Sequence, residues 1–135
     1  MIKDSRDIRR LLEQARVIAV VGHSDNPQRT SYRIAAYLRE VGYRVHAVNP
    51  TIQEVDGQPV YPSLAEVPEP IDIVDVFRRS EFLDEVVDQA IAVGAKAVWA
   101  QLGVFDEAAG RKAEAAGLEV VMDRCIMVDH RNLLG

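Results

Sequence analysis

The residues best suited to chemistry lie where an apolar run gives way to a helical pattern. Residues 17–21 are all apolar, Gly22 ends the run, and a helical pattern begins at Thr30 or Ser31. The first N–H groups of a helix have no partner within the helix, and its dipole favours negative charge there. This order of strand, glycine turn and helix start therefore predicts a binding site for an anion such as phosphate.

Polar side chains in the same segment suit a phosphate ligand. Hydroxyl groups are available from Ser24, Thr30 and Ser31, and a guanidinium is available from Arg29 or Arg33. Hydrogen bonds from charged donors to phosphate are shorter and stronger than those from neutral donors. We therefore expect the helix start and these side chains to bind a phosphate or a pyrophosphate together.

The same segment departs from the fingerprint of dinucleotide-binding proteins. In G-x-G-x-x-G the second glycine lets the backbone approach the pyrophosphate, and an acidic residue after the next strand binds the ribose. Ser24 stands at the second glycine position, no further glycine follows before Gly42, and the next strand ends in Asn49 and Pro50. These differences argue against NAD as the ligand.

The elements that must position this segment alternate along the chain. Apolar runs predict strands, and helical periodicity predicts helices between and around them. This alternation is typical of a single Rossmann-like α/β domain over residues 1–135, doubly wound, with a mostly parallel five-stranded sheet flanked by helices. The predicted strands are 17–22, 43–49, 71–77, 97–101 and 118–122.

Capping residues and turn signals predict further details of these elements. Asp4 or Ser5 is expected to cap the first helix, Ser80 the helix after the third strand, and Asp106 the helix after the fourth. The stretch 51–70 is the least regular part of the chain. It is expected to hold a turn at Asp56 and Gly57, an edge segment at 58–61 and one or two helical turns capped by Ser63. The tail is expected to form a short helix with inward-facing Met127, Val128 and Leu133.

Polar or conformationally special residues follow all five predicted strands. In sheets of this class, ligands bind beyond the carboxyl ends of the strands, where the strand order reverses. We therefore expect a cleft at that edge. The residues at the five strand ends are Gly22, His23, Ser24, Asn49, Pro50, Phe77, Arg78, Arg79, Gln101, Leu102, Gly103, Asp123, Arg124 and Cys125.

Composition limits the classes of function. The net charge is −5, whereas sequence-independent binding to nucleic acid or to a membrane surface needs a positive field. One cysteine allows no internal disulfide, which favours a reducing compartment. The polar N-terminus lacks the apolar core of a signal peptide, and no apolar run is long enough to span a membrane. We expect a cytoplasmic protein that contacts neither nucleic acid nor membrane.

Five short motifs in order carry a resemblance to a known family. They are VVGHS at 20–24, VNP at 48–50, VDVFR at 74–78, VWAQLG at 98–103 and VMDRC at 121–125. With these motifs the sequence resembles the small stand-alone CoA-binding proteins, which are similar to the CoA-binding domain of the succinyl-CoA synthetase α-subunit. The resemblance covers about residues 8–132 and implies a Rossmann-like domain that binds CoA or an acyl-CoA.

The resemblance also implies which residues contact CoA. The turn at Gly22 and the helix start would hold the pyrophosphate, Asn49 and Pro50 would border the adenosine, and Phe77 would stand in the opposite wall. Thr51 follows the Asn-Pro pair where members of the family often carry a basic residue suited to a nucleotide phosphate. With His23 and Arg33 from the loop and helix start, the expected CoA-binding residues are Gly22, His23, Ser24, Thr30, Ser31, Arg33, Asn49, Pro50, Val76, Phe77, Arg78, Gln101, Gly103, Met122 and Cys125.

The chain offers no combination of nucleophile, base and orienting group, which favours binding without catalysis. The phosphohistidine and grasp-type partner domains of the synthetase have no counterpart in the sequence. Two alternatives remain open. One is a small enzyme or enzyme subunit that acts on CoA thioesters or nucleotides. The other is an interaction module with a vestigial nucleotide site, and either a homodimer or another protein partner is compatible with a sheet of this size.

Several single residues allow two interpretations. His23 is either a ligand contact, sensitive to pH, or an exposed loop residue, while His46 is expected to be structural and His130 to lie at the surface. Cys125 is either able to form a mixed disulfide with CoA or an unreactive thiol. The three histidines are too scattered to form a metal site with the cysteine, so no metal is expected.

The charged residues around the third strand can also be interpreted as structural. Asp72 and Asp75 are expected on opposite faces, so they would not work as an acid–base pair, although one could cap a helix or bond loop amides. Arg78 and Arg79 form a positive turn that Glu66 and Glu69 would neutralise. Trp99 is expected in the core at the centre of a strand, with stacking on the adenine of a ligand as the alternative.

Overall fold

The apolar runs and helical patterns fold into a sheet with helices on both faces. The computed structural model describes all 135 residues. The strands are β1 (Val17–Val21), β2 (Arg44–Val48), β3 (Glu54–Val55), β4 (Gln58–Tyr61), β5 (Ile73–Val76), β6 (Ala97–Ala100) and β7 (Glu119–Val121). The helices are α1 (Ser5–Gln14), α2 (Thr30–Glu40), α3 (Leu83–Ala92), α4 (Glu107–Ala115) and α5 (Ile126–Leu133). Short 3₁₀ turns lie at Leu64–Glu66 and Ser80–Phe82.

The strand order is β3-β4-β2-β1-β5-β6-β7, and every pairing except that of β3 with β4 is parallel. The chain moves outward from β1 in one direction through β2, and in the other direction through β5, β6 and β7. The strand order therefore reverses between β1 and β5, which places the expected cleft above these two strands. The predicted Rossmann-like α/β fold is confirmed.

The predicted number of five strands is wrong, because a hairpin adds β3 and β4 at one edge. Asp56 and Gly57 form its two-residue turn with φ angles of +51° and +80°. Positive φ at both positions is the geometry of a tight hairpin turn, which Asp-Gly favours. The segment predicted at the edge is β4, but β3 pairs with it and forms the edge instead. β3 has two residues and is too short to show a strand pattern.

The sheet separates two apolar cores. One core packs α3 and α4 against side chains such as Val74 and Val98, and the other packs α1, α2 and α5 around Trp99. The indole of Trp99 is fully buried, as predicted, and its N–H donates to the Arg124 carbonyl at 2.9 Å. This hydrogen bond ties the segment after β7 to the centre of the sheet.

Helix capping follows the prediction at two positions and departs from it at Ser63 and Ser80, of which Ser63 precedes its 3₁₀ turn without a side-chain capping hydrogen bond. The carboxylates of Asp4 and Asp106 accept hydrogen bonds from the first turns of α1 and α4. Ser80 caps no helix, because its hydroxyl donates to the Gly103 carbonyl and accepts from the Phe105 N–H. A 3₁₀ turn precedes α3 instead, and Ser80 joins the ends of β5 and β6.

Two expectations for the C-terminal segment are wrong. Val128 points outward from α5 and is exposed, whereas Met127 and Leu133 are half-buried against the second core. His130 is buried rather than at the surface, because it packs against the rings of Tyr37 and Tyr43. The Tyr37 hydroxyl lies 2.8 Å from Nδ1 of His130, so the histidine joins α5 to α2.

Candidate functional site

A cleft with two adjoining lobes lies at the carboxyl edge of the sheet. The polar lobe has a volume of about 580 Å³ and the apolar lobe about 460 Å³; they share Thr30 and Phe77. The polar lobe is lined by Gly22, Ser24, Asp25, Gln28, Arg29, Thr30, Ser31, Asn49, Thr51, Ile52 and Phe77. The apolar lobe is lined by Thr30, Ile34, Phe77, Arg78, Arg79, Gln101, Leu102, Gly103, Val104 and Cys125.

Gly22 begins the β1–α2 loop (residues 22–29) in a conformation that suits glycine. Its φ angle is +88°, and a Cβ there would lie 3.1 Å from the carbonyl oxygen of Phe77. An L side chain is strained at this φ, and the neighbouring backbone leaves it no room. Gly22 therefore lets the end of β1 pass close to the end of β5 at the floor of the cleft.

Hydrogen bonds within the protein fix the β1–α2 loop before any ligand arrives. The Ser24 N–H donates to the Ser31 hydroxyl at 3.0 Å, and the Asn26 N–H donates to the Ser24 hydroxyl at 3.0 Å. The Asn49 side-chain amide donates to the His23 carbonyl at 3.0 Å, while its oxygen accepts from the N–H and hydroxyl of Thr51. The loop is thus tied to both α2 and the end of β2.

His23 supports this loop from inside the protein. Its side chain is fully buried, so neither interpretation made from the sequence, a ligand contact or an exposed residue, fits the structure. Nδ1 lies 2.8 Å from the Ser24 carbonyl oxygen, and Nε2 lies 3.1 Å from a guanidinium nitrogen of Arg39. Burial lowers the pKa of His23, and the nearby Arg39 charge lowers it as well.

The N-terminus of α2 opens into the polar lobe without a side-chain cap. Arg29 occupies the N-cap position, and its side chain makes no capping hydrogen bond. The N–H groups of Thr30, Ser31 and Tyr32 donate to no protein group. Because such groups favour a negatively charged acceptor, this end of α2 can bind an anion.

The apolar lobe continues the cleft towards β6 and β7. Phe77 and Ile34 form its inner wall, and Leu102 is 67 % exposed at its rim. The Gln101 side-chain oxygen accepts from the Ile126 N–H at 3.2 Å, which holds the start of α5 beside the lobe. Cys125 is half-buried there as a free thiol. The lobe offers apolar contact with a few polar groups at its margin.

The two arginines after β5 are paired with carboxylates other than the expected ones. Arg78 binds Glu85 at 2.9 Å, and Arg79 binds Glu81 at 3.2 Å. Glu69, which the sequence suggested as a partner, binds Arg44 and His46 instead. Arg78 lines the apolar lobe, so an anionic ligand there would compete with Glu85.

The structure brings most of the expected CoA-binding residues together in the two lobes. Those in the lobes are Gly22, Ser24, Thr30, Ser31, Asn49, Phe77, Arg78, Gln101, Gly103 and Cys125. The other five line neither lobe. His23 is buried behind the loop, Val76 and Met122 pack in the α3–α4 core, and Pro50 and Arg33 are exposed elsewhere.

Several lining residues were absent from the expected set. Thr51 and Ile52 extend the wall beyond Asn49, and Ile34 lies one helical turn after Thr30. The helical spacing of Ile34 could have identified it, because residues four apart share a helix face. Thr51 and Ile52 belong to an irregular connection whose path the sequence pattern does not specify.

Two aspartates near β5 have different environments. Asp72 accepts hydrogen bonds from the N–H groups of Arg16 and Val17 at 2.8 and 2.9 Å, which confirms a role in bonding loop amides. Asp75 is fully buried between Val20 and Trp99, and neither carboxyl oxygen has a hydrogen-bond partner. Burial raises the pKa of Asp75 well above its ordinary value.

No three histidine, cysteine, aspartate or glutamate residues cluster closely enough to hold a metal ion. None of the helices has the length and apolar character needed to cross a membrane.

The fold and the place of the cleft define a Rossmann-like α/β domain that can bind a ligand at the carboxyl ends of its parallel strands. Comparison with known families gives the narrower class. The profile described as CoA binding domain matches residues 16–131, and the chain therefore belongs to this family. The resemblance seen in the five sequence motifs is thus confirmed.

Three relatives illustrate the range of the family. YneT of Bacillus subtilis, an uncharacterized protein, is 43 % identical over 124 residues, 92 % of this chain and 92 % of YneT. A solved structure of a hypothetical protein from Pyrococcus horikoshii OT3 has a TM-score of 0.95 at 42 % identity and covers 98 % of this chain and 94 % of that chain. The alpha subunit of acetate–CoA ligase (ADP-forming) II from Pyrococcus furiosus is 28 % identical over 131 residues, 87 % of this chain but 29 % of the subunit.

Proposed function

We propose that this protein binds CoA or an acyl-CoA in the two-lobed cleft, with the diphosphate at the N-terminus of α2. The observation that carries the proposal is the set of unpartnered N–H groups at Thr30, Ser31 and Tyr32, at a helix start whose Thr30 and Ser31 line the polar lobe of a CoA-binding-domain fold. Arg29 adds a guanidinium to the same lobe. A diphosphate supplies the acceptors and the negative charge that these groups lack.

The shape of the cleft supports an extended ligand. The polar lobe lies between the β1–α2 loop and the end of β2, which suits the diphosphate and adenosine. The apolar lobe begins at Phe77 and runs to Gly103 and Cys125, which suits the pantetheine arm. A ligand with one highly charged end and one weakly polar end fits this order of surfaces.

Calorimetric titration of the full chain with CoA, dephospho-CoA, NAD and ATP tests this proposal. We expect CoA to bind, and NAD to bind at least about tenfold more weakly, since the second glycine and the ribose-binding acid of the dinucleotide site are absent. Binding of NAD without binding of CoA would overturn the proposal. Equal affinities for CoA and dephospho-CoA are expected if Thr51 leaves the 3′-phosphate without a charged partner.

Two CoA thioesters separate binding from catalysis. We propose that the chain acts without chemical turnover, because no nucleophile in the cleft has a base and an orienting group within hydrogen-bond reach. Incubation with acetyl-CoA and with succinyl-CoA, with measurement of the free thiol released, tests for turnover. Release of free thiol at a rate proportional to protein would establish an enzyme instead. Purification from a native extract shows whether a partner or a second copy accompanies the chain.

A cytoplasmic location also remains part of the proposal. The single cysteine, Cys125, is free and half-buried, which is compatible with the reducing compartment expected from the sequence. Localisation of a tagged chain in its native cell is the direct test, and a periplasmic or secreted signal would contradict it.

A further inference from the structure

The hydrogen bonds of His23 determine the protonation state of its ring. An arginine guanidinium has only donors, so the contact at 3.1 Å requires Nε2 of His23 to accept from Arg39. The remaining ring proton must then lie on Nδ1, where it is donated to the Ser24 carbonyl oxygen at 2.8 Å. His23 is therefore neutral, with one defined tautomer, and both of its nitrogens are used.

This neutral ring lies directly behind the surface that faces the ligand. Ser24, whose carbonyl accepts from the ring, lines the polar lobe, and its N–H donates to Ser31 at the start of α2. The His23 carbonyl accepts from the Asn49 amide. The residue thus connects the β1–α2 loop, the first turn of α2 and the end of β2 without touching the cleft.

Charged and titratable groups face the ring from two elements. Arg39 and Tyr32 approach from α2, with the Tyr32 ring edge-on at 6.1 Å between centroids. Asp56 approaches from the turn of the β3–β4 hairpin and accepts a hydrogen bond from the Tyr32 hydroxyl. The positive charge of Arg39 is the closest of these and has no carboxylate within salt-bridge distance; Asp56 offsets it in part from farther away.

Protonation of His23 is incompatible with this arrangement. A second ring proton would point from Nε2 at the guanidinium of Arg39, so two donors and two positive charges would face each other in a buried site. The ring or Arg39 must then move, and the bond to Ser24 moves with the ring. Burial and the Arg39 charge both lower the pKa of His23, so this occurs below the ordinary pH range of a histidine.

We propose that His23 is the positioning residue of the β1–α2 loop, and that the loop holds CoA only while this imidazole is neutral. The proposal deepens the proposed function and rests on it for the identity of the ligand. The positioning role itself is a property of the free protein. The two parts can therefore be tested separately.

NMR spectra of the imidazole nitrogens in the ligand-free chain test the positioning role. At pH 7.5 we expect a neutral His23 ring with the proton on Nδ1, and a titration midpoint below the ordinary value of about 6.5. The Ser24 and Ser31 amide resonances should shift with the same midpoint. A proton on Nε2, a charged ring at pH 7.5, or loop amides that do not follow the titration would overturn the inference whether or not CoA binds.

Calorimetry between pH 5 and pH 8 tests the effect on the ligand. Linkage to one proton weakens CoA binding to the wild-type chain by up to about tenfold for each pH unit below the His23 midpoint. His23→Asn keeps a donor close to the position of Nδ1 and cannot titrate, so its affinity profile should be flatter over this range. CoA's own titration is common to both chains and cancels in the comparison.

Two further variants separate this mechanism from a general loss of structure. Arg39→Met removes the charge that opposes protonation, so the fall in affinity should move to higher pH. His46→Gln, outside the cleft and paired with Glu69, should leave the profile unchanged. Coincident profiles for wild type and His23→Asn would contradict the role in CoA binding. Absence of CoA binding at pH 8 would contradict the proposed function, and the imidazole spectra would still decide the positioning role.

Discussion

The N-termini of α2 and α4 lie at the same edge of the sheet, but only α4 has a side-chain cap. Asp106 caps α4, and its carboxylate accepts from the Ala109 N–H at 3.1 Å. α2 has Arg29 at the N-cap position and leaves its first N–H groups open to the polar lobe. A capped helix satisfies its donors internally, whereas an open one keeps them for a ligand. The difference shows which of the two helix starts is available to an anion.

The largest expected effect comes from a side chain at Gly22, where the end of β1 passes close to the end of β5. Gly22→Val places a branched side chain at a φ of +88° and against the Phe77 carbonyl. We expect a loss of about 3 kcal/mol in the free energy of unfolding and no measurable CoA binding. Chemical denaturation and calorimetry measure the two quantities.

Gly94→Val is the matched control for this change. Gly94 also has a positive φ, +71°, but a Cβ there meets no atom within 4 Å. We expect a loss of about 1 kcal/mol from backbone strain and unchanged CoA affinity. An equal loss of affinity in both variants would show that Gly22 acts through stability alone.

Giving α2 the kind of cap that α4 has should separate binding from stability. Arg29→Asp supplies an internal acceptor and replaces a positive charge in the polar lobe with a negative one. We expect CoA affinity to fall about 100-fold, while the free energy of unfolding rises by about 1 kcal/mol. A thermal melt and a CoA titration of the same sample show whether stability rises while CoA affinity falls. Unchanged affinity would show that the diphosphate binds elsewhere.

Like the first N–H groups of α2, the Asp75 carboxyl group has no hydrogen-bond partner, but it is fully buried. Its folded-state pKa is raised, so the folded chain keeps a proton that the unfolded chain releases above about pH 4. The free energy of unfolding therefore falls as the pH rises from that value towards the folded pKa. We expect Asp75→Val to add about 1–3 kcal/mol at pH 7 and to remove this pH dependence. Denaturation curves at pH 5 and pH 8 measure both effects, and a less stable variant would indicate a partner for the carboxyl group.

The smallest expected effect comes from opening α4. Asp106→Ala removes its cap and should lower the free energy of unfolding by about 1 kcal/mol. CoA affinity should not change, because Asp106 lines neither lobe. A rise in affinity for phosphate at α4 would mean that any uncapped helix start in this fold binds anions. That result would contradict a specific role for the N-terminus of α2.

The sequence predicted the features that depend on neighbours along the chain. The apolar run before Gly22 and the caps at Asp4 and Asp106 follow local rules, and the structure contains them. The central strands were predictable for the same reason, since each is a short, fully apolar or nearly apolar segment. Five motifs at the strand ends then sufficed to identify the family.

Contacts between distant residues could not be predicted in this way. His23 is buried because Arg39 and Tyr32 of α2 close over it, and His130 is buried because Tyr37 and Tyr43 pack against it. Neither histidine stands in an apolar pattern, so its local sequence resembles that of a surface residue. The partner of Arg78 was misjudged for the same reason, since it depends on the orientation of α3.

The most direct test of the account is a titration of the uniformly ¹⁵N-labelled chain with CoA, followed by amide NMR. We predict the largest shifts at Thr30, Ser31 and Tyr32, together with Gly22, and none at the start of α4 around Ala109. Saturation of these shifts with one molar equivalent of CoA would support the diphosphate at the open end of α2. Shifts centred on α4, or no shifts with CoA at any concentration, would contradict the account.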